Sequence, residues 1–158
     1  MIETGRLLPQ LQKKPISMRI TLSLALLWGA CLPLVHANSD MSQAAGCVAA
    51  LKARAEPLAK RLRAGDAAAE PSLVPIVTAS FAFIGTAYKQ GLRQKQADEL
   101  LAAAEGRQAQ LPPPELAKLQ DACQVQGMQL FTQANYFERQ FVSRAVRHRI
   151  EKLKKRAA

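Results

Sequence analysis

The chain has 158 residues, 49% of them apolar and 5% aromatic, with a formal net charge of +10 at pH 7. That length suits one domain around one hydrophobic core, and the apolar share excludes an intrinsically disordered chain. Two histidines, three cysteines and twelve acidic residues lie scattered, with no CxxC and no His/Cys/Asp/Glu cluster at ligand spacing, which leaves the common metal, haem-attachment and thiol-exchange motifs without support.

The N-terminus reads as an export signal. Lys13, Lys14 and Arg19 precede an apolar run from Ile20 to Val35, and Val35-His36-Ala37 offers a cleavage site. Residues 1–37 are therefore assigned to a signal peptide whose true start is Met18, with an uncleaved anchor as the alternative. Cys31 follows Trp28 rather than a Leu-like residue, which argues against lipid attachment there. The mature domain spans residues 38–158 and keeps two cysteines, Cys47 and Cys123. In an oxidising compartment an isolated pair of this kind forms one disulfide, and two buried free thiols are the alternative.

The first mature helix is expected after Asp40, which would cap it, with Gln43 completing a capping box. Cys47, Leu51, Ala55, Leu58 and Leu62 recur every three or four residues and form one apolar stripe. Pro57 predicts a kink or break near residues 53–56. Gly65-Asp66 should end the element, and an Ala-rich link leads to Glu70-Pro71.

The stretch Ser72–Leu92 is the expected hub. It is uncharged from Leu73 to Tyr88 and apolar most of the way round, so it should be buried among other helices. Its uncharged part is about 24 Å long as a helix, short of the ~30 Å core of a bilayer. Ser72 is the expected N-cap, Pro75 is placed in the first turn, Gly85 suits close helix packing and Gly91 a stop or a bend. A further helix is expected over residues 96–109, with Ala97, Leu100, Leu101 and Ala104 on its inner face.

Pro112-Pro113-Pro114 is a stiff connector whose last member can open the next helix. Beyond it Leu116, Cys123, Leu130 and Phe137 recur every seven residues, widened by Leu119, Gly127, Ala134 and Phe141. One helix from Glu115 to Lys155 would be about 60 Å long, too long for a domain some 35 Å across, so a bend near Gly127 or Asn135 or a projecting end is required. A second stripe, Val142, Val146, Ile150 and Leu153, lies well round the helix from Phe141. The fold class is thus all-α, a bundle of four or five helices clipped by Cys47–Cys123.

Charge is the strongest functional signal. Residues 38–138 are balanced, whereas the helix over 136–156 carries Arg139, Arg144, Arg147, Arg149, Lys152, Lys154, Lys155 and Arg156, opposed after Phe137 only by Glu138 at its start and by Glu151. Export makes nucleic acid an unsuitable partner despite this charge. The leading expectation is a periplasmic or secreted, non-enzymatic binding or accessory protein of the cell envelope, docking an acidic partner through this helix. The alternative is a peripheral membrane protein whose basic helix lies on anionic lipid with Val142, Val146, Ile150 and Leu153 inserted. The same stripe equally suits the core of an ordinary bundle helix, and the cations a solvated face that keeps the protein soluble. A minor alternative is a b-type haem held between Met41 or Met128 and His148. No catalytic residue and no resident cofactor is assigned; an enzyme reading would need polar side chains such as Tyr88, Asp98 and Glu105 gathered in one pocket.

Overall fold

The computed structural model describes residues 33–155, with side chains from Asp40 onward. The predicted leader up to Leu32, including its basic residues, Met18 and Cys31, lies outside the described residues, as does Arg156. Five α-helices follow in order: α1 (Pro33–Arg63), α2 (Glu70–Lys89), α3 (Gln94–Gln108), α4 (Pro113–Gln133) and α5 (Tyr136–Lys154), with a single 3₁₀ turn at Ala67–Ala69 between the first two. The protein is a small all-α bundle carrying one disulfide.

Local chemistry places most boundaries. Gly65 and Gly91 adopt φ of 90° and 97°, and each ends a helix in the same way. After Gly65 the Asp66 amide donates to the Arg61 carbonyl, and after Gly91 the Leu92 amide donates to the Ala87 carbonyl, 3.1 and 3.0 Å away. These six-to-one bonds satisfy carbonyls left over at a helix C-terminus, and the left-handed turn they need favours glycine. Asp66 also caps the short 3₁₀ turn by accepting from the Ala68 amide at 3.0 Å.

Two expected starts move, and an expected break does not occur. Asp40 lies inside α1 rather than at its cap, because the helix extends back to Pro33, a residue well suited to a first turn that needs no amide donor. α1 also continues through Pro57 without a break. The residues on both sides, Ala55, Leu58, Ala59 and Leu62, belong to one packed face, and tertiary contact holds the helix where the proline removes a bond. α2 begins at Glu70 with Pro71 in its first turn, so Ser72 is not its cap and Pro75 falls one turn further in.

α2 is the hub: it packs against α1, α4 and α5. With the preceding turn it is long and apolar enough to cross a membrane by length and composition, and here part of its surface is buried against other helices. The core divides along it into three clusters. Near its N-terminus Leu73 meets Ala59 and Leu62 of α1 and Val142, Val146, Ile150 and Leu153 of α5. In the middle Ile76, Ala79 and Phe83 meet Cys47, Ala50 and Leu51 of α1 and Cys123 of α4. At its C-terminus Ala87 meets Met41 and Leu92.

The clusters make α1 antiparallel to α2, and the pairs Lys89–Glu138 and Glu70–Lys154 make α5 antiparallel to it as well. α4 runs in the same direction as α2, with Gly127 at Ala79 and Leu130 and Ala134 beside Ala82 and Lys89. α3 lies on α1, where the buried Gln108 side chain donates to the Gly46 carbonyl at 2.7 Å and Lys52 pairs with Glu105 at 2.7 Å. Cys47 and Cys123 are bonded, with Cα atoms 5.2 Å apart, and both are buried. The close helix approach is at Gly127 of α4, not at Gly85: a Cβ on Gly127 would sit 2.6 Å from that of Ala79, while one on Gly85 would meet nothing within 4 Å.

A candidate docking face on the last helix

The break between α4 and α5 creates the face. Ala134 turns extended, and Asn135 caps α5 by accepting from the Glu138 amide at 3.0 Å while Glu138 accepts from the Asn135 amide at 3.1 Å. This reciprocal pair satisfies two otherwise orphaned donors. Of the two bend positions read from the sequence, the chain uses Asn135.

The break rotates the apolar surface. Val142, Val146, Ile150 and Leu153 turn into the core. The expected continuous stripe stops at Ala134, and Phe137 and Phe141, read as core-facing, are instead 80% and 72% exposed. Their repeat continues that of Leu130 only on an unbroken helix; after the break the second stripe takes the core and carries the phenylalanines to the opposite side. Tyr136 is 63% exposed beside Phe137, the two rings meeting edge-on with centroids 5.6 Å apart.

Glu138 ties this end of α5 to the hub: Lys89 Nζ donates to its carboxylate at 2.6 Å. That bond first, and the Asn135 amide second, hold the Glu138 carboxyl below the ordinary value of 4.5. Just past the C-terminus of α1, the Arg61 guanidinium lowers the Asp66 carboxyl below its ordinary 3.8 against a smaller opposing effect of desolvation. Both folded values are depressed, so the stability they contribute is full above the ordinary values and is lost as pH falls through the lowered ones. The thermal midpoint should fall as the solution is acidified from about pH 5, and Glu138→Gln and Asp66→Asn should each make that fall shallower. Melting curves across that range would check it; slopes unchanged in both variants would count against these contacts.

The cations lie outward. Arg139, Arg144, Arg147, Arg149, Lys152 and Lys155 are exposed and make no ion pair among the described residues, while Lys154 pairs with Glu70 of α2. Seven of the eight expected cations are therefore on one helix whose apolar side is buried, and the eighth, Arg156, lies outside the described residues. Phe137, Phe141, Arg144, His148, Lys152 and Lys155 succeed one another at steps of three and four, so they share one side of α5. Between that side and α2 runs an open apolar groove, lined by Phe81, Ile84 and Tyr88 of α2 and Phe137, Phe141 and Ala145 of α5.

The sites weighed for other chemistry come apart. Met41 packs at the C-terminal end of α2, whereas His148 lies between Val146 and Ile150, which pack at its N-terminal end. Ala87 and Leu73 mark those ends and are about 21 Å apart along the helix, so Met41 and His148 do not face one iron. Met128 lies in the middle cluster near the disulfide. Tyr88 donates to Gln94 at 2.8 Å and Gln94 donates to Asp98 at 2.9 Å, at the rim of a small recess between α1, α2 and α3; Glu105 is elsewhere, paired with Lys52. Among the described residues no three His, Cys, Asp or Glu side chains gather as a metal site.

No protein-family model, no curated protein and no solved structure matches this chain significantly.

Proposed function

We propose that this is an exported, non-enzymatic binding or accessory protein of the cell envelope, chaperone-, inhibitor- or assembly-factor-like in kind, which docks an acidic protein partner through α5. The observation that carries the reading is the division of that helix. Its apolar stripe is used by the core, and six of its cations stand exposed without an ion-pair partner among the described residues. A rigid scaffold presenting like charges along one helix suits recognition of an opposite charge and steers the encounter. The disulfide supports an oxidising compartment, hence the periplasm or the exterior.

The lipid reading is weaker in this fold. The stripe it would insert faces Leu62 and Leu73, and a bilayer would meet Phe137, Phe141 and the cations instead. The test is co-purification of the natively processed protein with its envelope partners after cross-linking, at low and high salt. Beside it runs the variant Arg144→Glu, Arg147→Glu, Arg149→Glu, Lys152→Glu and Lys155→Glu. At about 0.5 kcal/mol for each exposed pair, losing five contacts should weaken capture of an acidic partner by well over tenfold, before the added repulsion. Capture indifferent to both salt and charge reversal would refute the reading.

A further inference from the structure

The apolar groove and the cationic side of α5 are one continuous face. Phe137 and Phe141 form the α5 wall of the groove, and the same line of the helix continues as Arg144, His148, Lys152 and Lys155. Opposite them Phe81 and Ile84 are half-buried and Tyr88 is exposed. Glu138, the acidic side chain at the groove, is engaged by Lys89, so no free carboxylate opposes an acidic visitor there. The face is apolar at one end and basic at the other, where the exposed Glu151 is the one acidic side chain among the cations, over about 27 Å from Phe137 to Lys155.

We propose that this composite face receives an amphipathic acidic helix of the partner protein, its apolar side chains anchored in the groove and its carboxylates set against Arg144, Lys152 and Lys155. The proposal rests on the docking reading above and names the partner's chemistry. Shape and charge select this occupant. A groove between two helices accepts side chains spaced at i, i+3 or i+4 and i+7 of a third helix. A flat bilayer surface meets first the exposed Phe137 and Phe141, whereas a helix seated in the groove also contacts the half-buried Phe81 and Ile84. A second copy of the chain brings its own cations to the same face, so charge opposes it. An acidic helix about 18 residues long spans the face from end to end.

The experiment is selection of a displayed library of random 18-residue peptides on the natively processed protein. Affinities of the selected peptides are then measured for wild type, for Phe137→Ala with Phe141→Ala, and for Arg144→Glu with Lys152→Glu and Lys155→Glu. Both phenylalanines are exposed, so the first variant should keep its fold, which a melting curve verifies. The expected result is peptides combining apolar residues at helical spacing with a run of carboxylates, bound tenfold or more weakly by either variant.

Acidic peptides lacking apolar periodicity, and indifferent to the phenylalanine variant, would overturn the groove while leaving acidic docking standing. Peptides without carboxylates, indifferent to charge reversal, would overturn both. If no peptide is enriched, the proposal falls. Sedimentation with anionic vesicles, or a concentration-dependent dimer, in either case abolished by Phe137→Ala with Phe141→Ala, would then assign the face to lipid or to self-association.

Discussion

Replacing Cys47 and Cys123 together by alanine will lower the stability of the bundle by about 4 kcal/mol. The bond joins positions 76 residues apart in the chain, so it removes a large share of the conformations open to the unfolded protein. It also fastens α4 to α1 at the centre of the middle core cluster, where both cysteines are buried. Alanine is the better replacement, because serine would bury two hydroxyls with no assured partner. Denaturant titration of the double variant, of wild type, and of wild type under reducing conditions separates the two contributions. The reduced wild type isolates the covalent link, and the further loss in the variant isolates the missing sulfur atoms. A loss below about 1 kcal/mol on reduction would mean that the unfolded chain is already compact around this region, and that the bond is of little consequence to the fold.

The second large effect is expected at Gly127. A Cβ there would come within 2.6 Å of the Ala79 Cβ and 2.8 Å of the Ala79 Cα and carbonyl oxygen. Two of those three atoms are backbone, so rotation of a side chain cannot relieve the clash. α4 must move off α2 at the position that seats Cys123 and Met128 against the hub. Gly127→Ala should therefore cost about 1–3 kcal/mol through overpacking, even though alanine is the better helix former by about 0.5–1 kcal/mol. Ala79→Gly in the same chain should restore only part of the loss, because the Cα and carbonyl contacts remain. Gly106→Ala is the control: it lies in α3 with nothing within 4 Å of a Cβ and should gain about 0.5–1 kcal/mol. Urea midpoints for wild type and the three variants would decide it. A Gly127→Ala protein as stable as wild type would show that α2 and α4 slide apart without cost.

The all-α class, the apolar hub and the glycine stop at Gly65 were legible without coordinates because each depends on near neighbours in the chain. The cysteine pairing, across 76 residues, was legible only because a chain read as exported, with two cysteines after its leader, offers a single pair. Periodicity of three and four fixes which residues share a helix face, and Gly65 and Gly91 act on their own turns. Cys47 and Cys123 lie on core-facing lines whichever way the helices are arranged. The basic side of α5 is legible for the same reason, since a run of cations needs no partner to be counted.

Tertiary structure decided what depends on competition between faces. Two apolar stripes follow one another along residues 116–153, and both cannot face the same core on a straight helix. Breaking the chain at Asn135 lets Val142, Val146, Ile150 and Leu153 bury against Leu62 and Leu73, and that choice exposes Phe137 and Phe141. A repeat of seven continuing through Phe137 could not reveal this, because periodicity records which residues align, not which alignment finds a partner. Gly127 rather than Gly85 marks the close approach for a similar reason: both glycines lie within helices, and only the packing of α4 on α2 brings a neighbour to one of them. The charge of the proposed docking face was thus set by the sequence itself, while its aromatic half exists only because the core took the other stripe.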